Sequence, residues 1–139
     1  MTDQETIRRL ADELEIRNVV ARLAQLADMG DLDEYVGLFT DDASWEMPGA
    51  PRHGRADILA GATERRSSGT TGPGSNTRHL ITTLGVRVDG SDEAGADSYW
   101  QFVGDTTAVP TVRLMGHYHD TFRRTPEGWR LATRGITFG

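Results

Sequence analysis

Residues 26–45, LADMGDLDEYVGLFTDDASW, decide how the rest of this chain is read. Leu26 and Ala27 close an apolar stripe at helical spacing, and Gly30 is the natural residue just past a helix C-terminus. Asp31 followed by Glu34 restarts a helix with a capping pattern, and Leu32, Tyr35, Leu38 and Phe39 give it an apolar side. Thr40-Asp41-Asp42 then reads as a turn. It delivers the chain into a short strand in which Ala43, Trp45 and Met47 alternate with Ser44 and Glu46. Asp28 is out of place in this pattern. A carboxylate in the last helical turn opposes the helix dipole, and a carboxylate beside an apolar stripe is seldom buried without a partner. Its position predicts a role other than helix stability.

Towards the N-terminus, Thr2 with Glu5 forms a capping-box pattern. Ile7, Leu10, Leu14, Ile16, Val19, Val20, Leu23 and Leu26 follow at helical spacing. At about 100° per residue, Asp28 falls beside the stripe formed by Val20, Leu23, Ala24 and Ala27. Towards the C-terminus, Pro48, Gly49 and Pro51 end the short strand, and His53 sits in a solvated turn. Ala56–Arg66 is a third helix with Ile58, Leu59 and Ala62 inward. Ser67–Thr77, SSGTTGPGSNT, is too rich in Gly and Ser for regular structure and reads as a mobile loop.

After that loop the pattern is all strand. Arg78–Val88, Ala94–Gly104, Thr111–Arg124 and Trp129–Phe138 are separated by turn signals at Asp89-Gly90, Asp105-Thr106 and Pro126-Glu127-Gly128. Consecutive strands with short links predict an antiparallel meander. Helices first and strands afterwards predict an α+β fold, with the helices packed on one face of a curved sheet.

Composition narrows the function classes. A length of 139 residues fits one domain, 1–139, with a core that needs no covalent staples. The absence of cysteine excludes disulfides and thiolate metal sites. All 15 basic residues are arginine, so Schiff-base chemistry through lysine is excluded. A net charge of −6 argues against a nucleic-acid partner. The polar N-terminus and the lack of any apolar run of spanning length predict a cytoplasmic protein without membrane contact.

Four blocks carry a resemblance: Leu26–Trp45, Gly54-Arg55-Ala56-Asp57-Ile58, Thr77-Arg78-His79, and Gly116–Trp129 together with Arg134. Over Glu15 to Thr137 the chain resembles the SnoaL-like branch of the nuclear transport factor 2-like superfamily. That resemblance implies a cone-shaped curved antiparallel or mixed sheet wrapped around N-terminal helices, and a homodimer or homotrimer. Within the superfamily, Asp28, His79 and Arg134 resemble the catalytic set of hexachlorocyclohexane dehydrochlorinase, scytalone dehydratase and bile acid 7α-dehydratase. The resemblance implies that Asp28 and His79 act as a general-base dyad and that Arg134 lies in the last strand of the same pocket. Two departures stand out: Leu23 occupies the place where relatives carry Lys or Tyr, and no second histidine occurs around Val103–Asp105.

The chemistry of such a set is proton abstraction followed by elimination or isomerisation, with neither cofactor nor metal. A histidine titrates near neutral pH and accepts a proton from carbon or oxygen. A carboxylate on its other ring nitrogen holds the tautomer, and an arginine can hold developing negative charge. Strict alternation along the strand, however, puts His79 with Ile81, Thr83 and Arg87, opposite the more apolar Leu80, Leu84, Val86 and Val88. A bulge near Gly85 would restore an inward His79. Arg134 fits a pocket or an interface equally well. His117 and His119 form a His-x-His pair without an evident third ligand.

Leu23, Phe39, Trp45, Met47, Tyr99 and Tyr118 are the candidate pocket wall, and their character implies a hydrophobic, cyclic small-molecule substrate. Tyr99 and Trp100 point to opposite faces, so only one of them reaches the pocket. The leading expectation is a small dehydratase-like lyase or isomerase. The alternatives are a SnoaL-like polyketide cyclase and a non-catalytic ligand-binding or assembly module, such as the small subunit of a ring-hydroxylating dioxygenase.

Overall fold

A computed structural model describes all 139 residues. The chain forms α1 (Asp3–Met29), α2 (Leu32–Gly37), β1 (Phe39–Glu46), β2 (Arg52–His53), α3 (Arg55–Ser67), β3 (Arg78–Asp89), β4 (Glu93–Gly104), β5 (Thr111–Thr125) and β6 (Gly128–Phe138). One six-stranded sheet runs in the order β2-β1-β6-β5-β4-β3. All neighbours are antiparallel except β1 and β6, which are parallel. The result is the expected α+β fold, with helices over the inner face of a curved sheet.

Local chemistry explains where the elements begin. Thr2 and Glu5 form the complete capping box at the start of α1. Asp31 caps α2 by accepting from the Asp33 amide at 2.9 Å. Gly30 ends α1 for a reason other than a left-handed cap, because its backbone is extended (φ −101°, ψ −171°). A Cβ at that position would stand 2.5 Å from Leu26 Cδ2. Close approach, not dihedral freedom, excludes a side chain there. The Thr40-Asp41-Asp42 turn is absent, since these residues already belong to β1. Their carboxylates point outward and are bridged, Asp41 to Arg55 at 2.8 Å and Asp42 to Arg123 at 2.6 Å, so the strand continues through them.

The core lies between α1, α3 and the inner sheet face. Trp129, Phe39, Leu131 and Ile16 are its most buried members. A polar clamp ties α1 to the β5–β6 hairpin. Asp12, itself buried, accepts from the Trp129 indole at 3.0 Å and from Arg124 at 2.7 Å, while Glu15 accepts from the Trp129 amide at 2.6 Å. Burial pushes the Asp12 carboxyl up, but hydrogen bonds from Trp129 and Arg124, with the charges of Arg124 and Arg8, hold it below the usual range. The first turns of α1 do not join this core. Ile7, Leu10 and Leu14 are exposed, because they share a helix face turned away from the one that carries Asp12, Ile16, Val19 and Leu23 into the fold.

Candidate active site

The last turn of α1 and the first residues of β3 meet at one end of the sheet. Asp28 is 3% exposed, and both of its oxygens are engaged by one residue. Oδ2 accepts from the His79 backbone amide at 2.9 Å, and Oδ1 lies 2.6 Å from His79 Nδ1. Gripping backbone and ring together fixes the position and the rotation of the imidazole. An acceptor on Nδ1 makes that nitrogen the N–H of the neutral ring and leaves Nε2 as a bare acceptor. The ring also packs against Phe102, with centroids 4.9 Å apart.

The carboxylate at a helix C-terminus is offset from α3. No basic residue lies in the last turn of α1. Instead Arg66 donates to the carbonyls of Leu26 at 2.9 Å and Ala27 at 3.4 Å, opposing the negative end of the dipole. The segment after α3 is a laced loop and not the loose one the composition predicts. Thr77 donates to the Thr70 carbonyl at 3.0 Å, Ser75 donates to the Gly72 carbonyl at 2.7 Å, and Thr71 and Thr77 are buried. Gly72 (φ +96°) lies against the Arg66 side chain, where a Cβ would sit 3.0 Å from Cδ.

His79 reaches the inner face because β3 changes register between Thr82 and Leu84. Thr83 takes up the extra residue with φ +45°, a left-handed conformation that is uncommon for a β-branched side chain. His79 and Ile81 therefore share a face with Leu84, Val86 and Val88, all partly buried. Arg17 of α1 donates to the carbonyl of Leu84, the first residue past the bulge, at 3.2 Å. The bulge lies two positions before Gly85, where glycine made it most expected.

Behind His79 lies a cavity of about 150 Å³. Leu23, Trp45, Met47, Tyr118, His79 and Arg134 line it. Two of the expected wall residues do not. Tyr99 points to the outer face, 51% exposed, and packs edge-on to His117, so Trp100 takes the inward place on β4. Phe39 is fully buried one layer back, edge-to-face with Tyr35 at 5.2 Å, because the register shift in β1 turns it into the core. Gly116, opposite Trp100 on β5, makes room for the indole: a Cβ there would stand 2.5 Å from Cζ2 and would also strike the Thr137 carbonyl.

Arg134 is buried and bound fork to fork by Asp120, with Nε–Oδ1 and Nη2–Oδ2 both at 2.9 Å. Its Cζ sits 3.8 Å above the Tyr118 ring. Burial pushes the Tyr118 hydroxyl up to about 12, and burial also raises Tyr35, so both phenols stay protonated. Desolvation alone would lower the Arg134 guanidinium. The charge of Asp120 outweighs it and holds the group above its ordinary value, permanently charged. The Trp100 indole N–H is buried without a protein partner.

Tyr35, Trp100 and Asp120 are therefore parts of the site that sequence reasoning missed or left open. Asp120 had a readable signal. It points inward between Tyr118 and Phe122, and counting back from the Pro126-Glu127-Gly128 hairpin brings it within one position of Arg134. The bulge between Thr121 and Phe122 makes the pairing direct.

Comparison with known proteins agrees with this architecture. Rv2910c, an uncharacterised protein of Mycobacterium tuberculosis, is 26% identical over 132 residues, covering 93% of this chain and 86% of its own. The crystal structure of a nuclear transport factor 2-like protein with a cystatin-like fold from Novosphingobium aromaticivorans superposes with a TM-score of 0.85 at 28% identity, covering 97% of this chain and 86% of that one. A scytalone dehydratase-like protein from the same bacterium shares the fold, with a TM-score of 0.75 at 17% identity over 96% and 88% of the two chains. The SnoaL-like domain family matches residues 8–135, nearly the whole sequence. This chain belongs to the SnoaL-like domain family, within the nuclear transport factor 2-like superfamily.

Proposed function

We propose that this protein is a cofactor-free lyase of the dehydratase type, acting on a small hydroxylated ring through an Asp28–His79 base. The observation that carries this reading is the contact of Asp28 Oδ1 with His79 Nδ1 at 2.6 Å, behind an apolar cavity. A volume of about 150 Å³ matches a single six-membered ring, the size of cavity that accepts benzene.

The chemistry runs on protons alone. Nε2 of His79 takes a proton from the carbon beside a ring carbonyl, and the electron pair moves onto the carbonyl oxygen as an enolate. Asp28 stabilises the imidazolium formed. Tyr118, Tyr35 and the unpartnered Trp100 N–H are neutral donors for the enolate oxygen. As the enolate collapses, the carbon–oxygen bond at the β position breaks. The departing hydroxide takes the proton from Nε2, giving water and restoring neutral His79. Arg134 contributes a fixed dipole here, because Asp120 cancels its charge. Leu23, at the place of the Lys or Tyr of relatives, is apolar wall, so the donors come from α2, β4 and β5 instead. Intramolecular aldol closure by a cyclase would use the same base but a longer, folded chain, which fits this volume poorly.

The test is hydrogen–deuterium exchange and dehydration of monocyclic β-hydroxy ketones in D2O. Exchange at the α-carbon, reduced by about 10²–10⁴-fold in His79→Gln, is the expected result. Ring ligands that bind equally well to wild type and His79→Gln without any exchange would replace this reading with a binding module. Leu80, Tyr99 and Met115, exposed on the outer sheet face, support assembly as a homodimer or homotrimer. Light scattering of the purified chain checks it, and a monomer at every concentration contradicts it.

A further inference from the structure

The outer face of the sheet carries a second constellation of ligating side chains, unrelated to the cavity. His117 and His119 alternate outward on β5, and Asp97 on β4 stands directly opposite His119 in the antiparallel register. His119 Nδ1 lies 2.8 Å from Asp97 Oδ1, and His117 Nε2 lies 3.6 Å from the same oxygen. The three ligand atoms fall within 4.8 Å of one another. The two imidazoles are nearly stacked, with centroids 3.9 Å apart and a tilt of 34°. Sequence reading found the His-x-His pair and no third ligand. The fold supplies that ligand from the preceding strand.

We propose that Asp97, His117 and His119 form a binding site for a borderline divalent transition-metal ion, for which zinc is the natural probe. Two imidazole nitrogens and one carboxylate oxygen suit zinc, nickel or copper(II), and not the hard, oxygen-seeking magnesium or calcium. Metal–ligand bonds of about 2.0–2.1 Å in a tetrahedron require ligand atoms about 3.3–3.4 Å apart. The two separations to Asp97 Oδ1 straddle that value, so side-chain adjustments of about half an ångström set the carboxylate–imidazole spacings, and rotation of the two rings sets the third. Their backbones are already fixed by β-ladder hydrogen bonds, which lowers the cost of ordering them.

Arg87 supports the site from outside. Its Nη1 holds the other Asp97 oxygen at 3.0 Å, leaving Oδ1 turned towards the histidines. In the isolated chain the remaining coordination positions face solvent, where water completes the shell. The ion would need both imidazoles neutral, so binding releases protons and weakens as the pH falls.

Isothermal titration of zinc chloride into the full-length chain, in a non-chelating buffer, tests the site. The expected result is one ion per chain with a Kd on the order of micromolar. His117→Gln, His119→Gln and Asp97→Asn each weaken it by at least about tenfold. His53→Gln, at an exposed position on β2, serves as the control and leaves it unchanged. Thermal melts without metal confirm that all variants keep the fold, as expected for partly exposed positions on the outer face. Lack of saturable binding by the wild type overturns the proposal. Wild-type affinity in either histidine variant, or loss of binding in His53→Gln, overturns it equally.

Discussion

Two buried carboxylates serve the same cavity, and they hold their partners in different ways. Asp28 engages one ring nitrogen of His79 and leaves the other without a protein partner. Asp120 engages two nitrogens of Arg134, a group that neither gains nor loses a proton at any accessible pH. The first pair can exchange a proton with a ligand. The second is a closed ion pair that fixes the ring of Tyr118 and the packing of two strands. A carboxylate in a pocket is thus chemistry or architecture according to what its partner has left to give.

Substitutions separate the two pairs. The largest expected effect is on turnover: His79→Gln lowers it by about 10²–10⁴-fold while shifting the melting temperature little, measured by steady-state kinetics and calorimetry together. If the melting temperature falls and the fraction that stays folded keeps wild-type turnover, the first pair is architecture too. Next comes stability at the second pair. Asp120→Asn leaves a buried guanidinium half-compensated and costs about 3–5 kcal/mol in urea unfolding. Replacing both Asp120 and Arg134 with apolar residues of similar size recovers much of that loss. Were the double variant as damaged as the single one, the pair would be more than a neutral strut.

A smaller effect comes from a third buried carboxylate. The folded-state pKa of Asp12 lies below its unfolded value, so its contribution to stability is present above about pH 3.9 and is lost as the pH falls through the folded value. In the Asp12→Asn variant the acid limb of the stability–pH curve should flatten in that window. An unchanged limb would mean that the Asp12–Arg124–Trp129 clamp is not linked to folding. The smallest effect is expected at Tyr99→Ala. Its ring lies on the outer face, so ligand affinity and turnover should stay within about twofold of wild type, whereas Trp100→Phe removes an unpartnered donor from the cavity and should reduce both.

Much of this architecture is legible in the sequence because strong local signals agree with it. The capping box at Thr2, the cap at Asp31 and the turn signals between the last four strands set element boundaries within a residue or two of those observed. Asp28 was conspicuous for a physical reason, as a carboxylate where both dipole and burial disfavour one. The face of His79 was not legible. It depends on a single extra residue absorbed at Thr83, a β-branched position at which no propensity announces a left-handed backbone. Tyr99 and Trp100 were legible as a pair on opposite faces, but alternation alone does not say which face is inner, and Phe39 was misplaced at the irregular start of β1. Ile7, Leu10 and Leu14 show the opposite failure. Their spacing marks a helix correctly, but they form a second apolar stripe, opposite the face of Asp12, Ile16, Val19 and Leu23 that the sheet buries.

The Asp28–His79 pair rests on which nitrogen carries the ring proton, and side-chain nitrogen NMR reads that directly. With four histidines in the chain, a long-range proton–nitrogen correlation spectrum of the neutral rings resolves each one. The predicted spectrum shows neutral His79 protonated at Nδ1, with Nε2 bare and free to accept a proton from a ligand. A His79 protonated at Nε2 would present a donor to the cavity and a lone pair to Asp28, and would contradict the base at the centre of this mechanism.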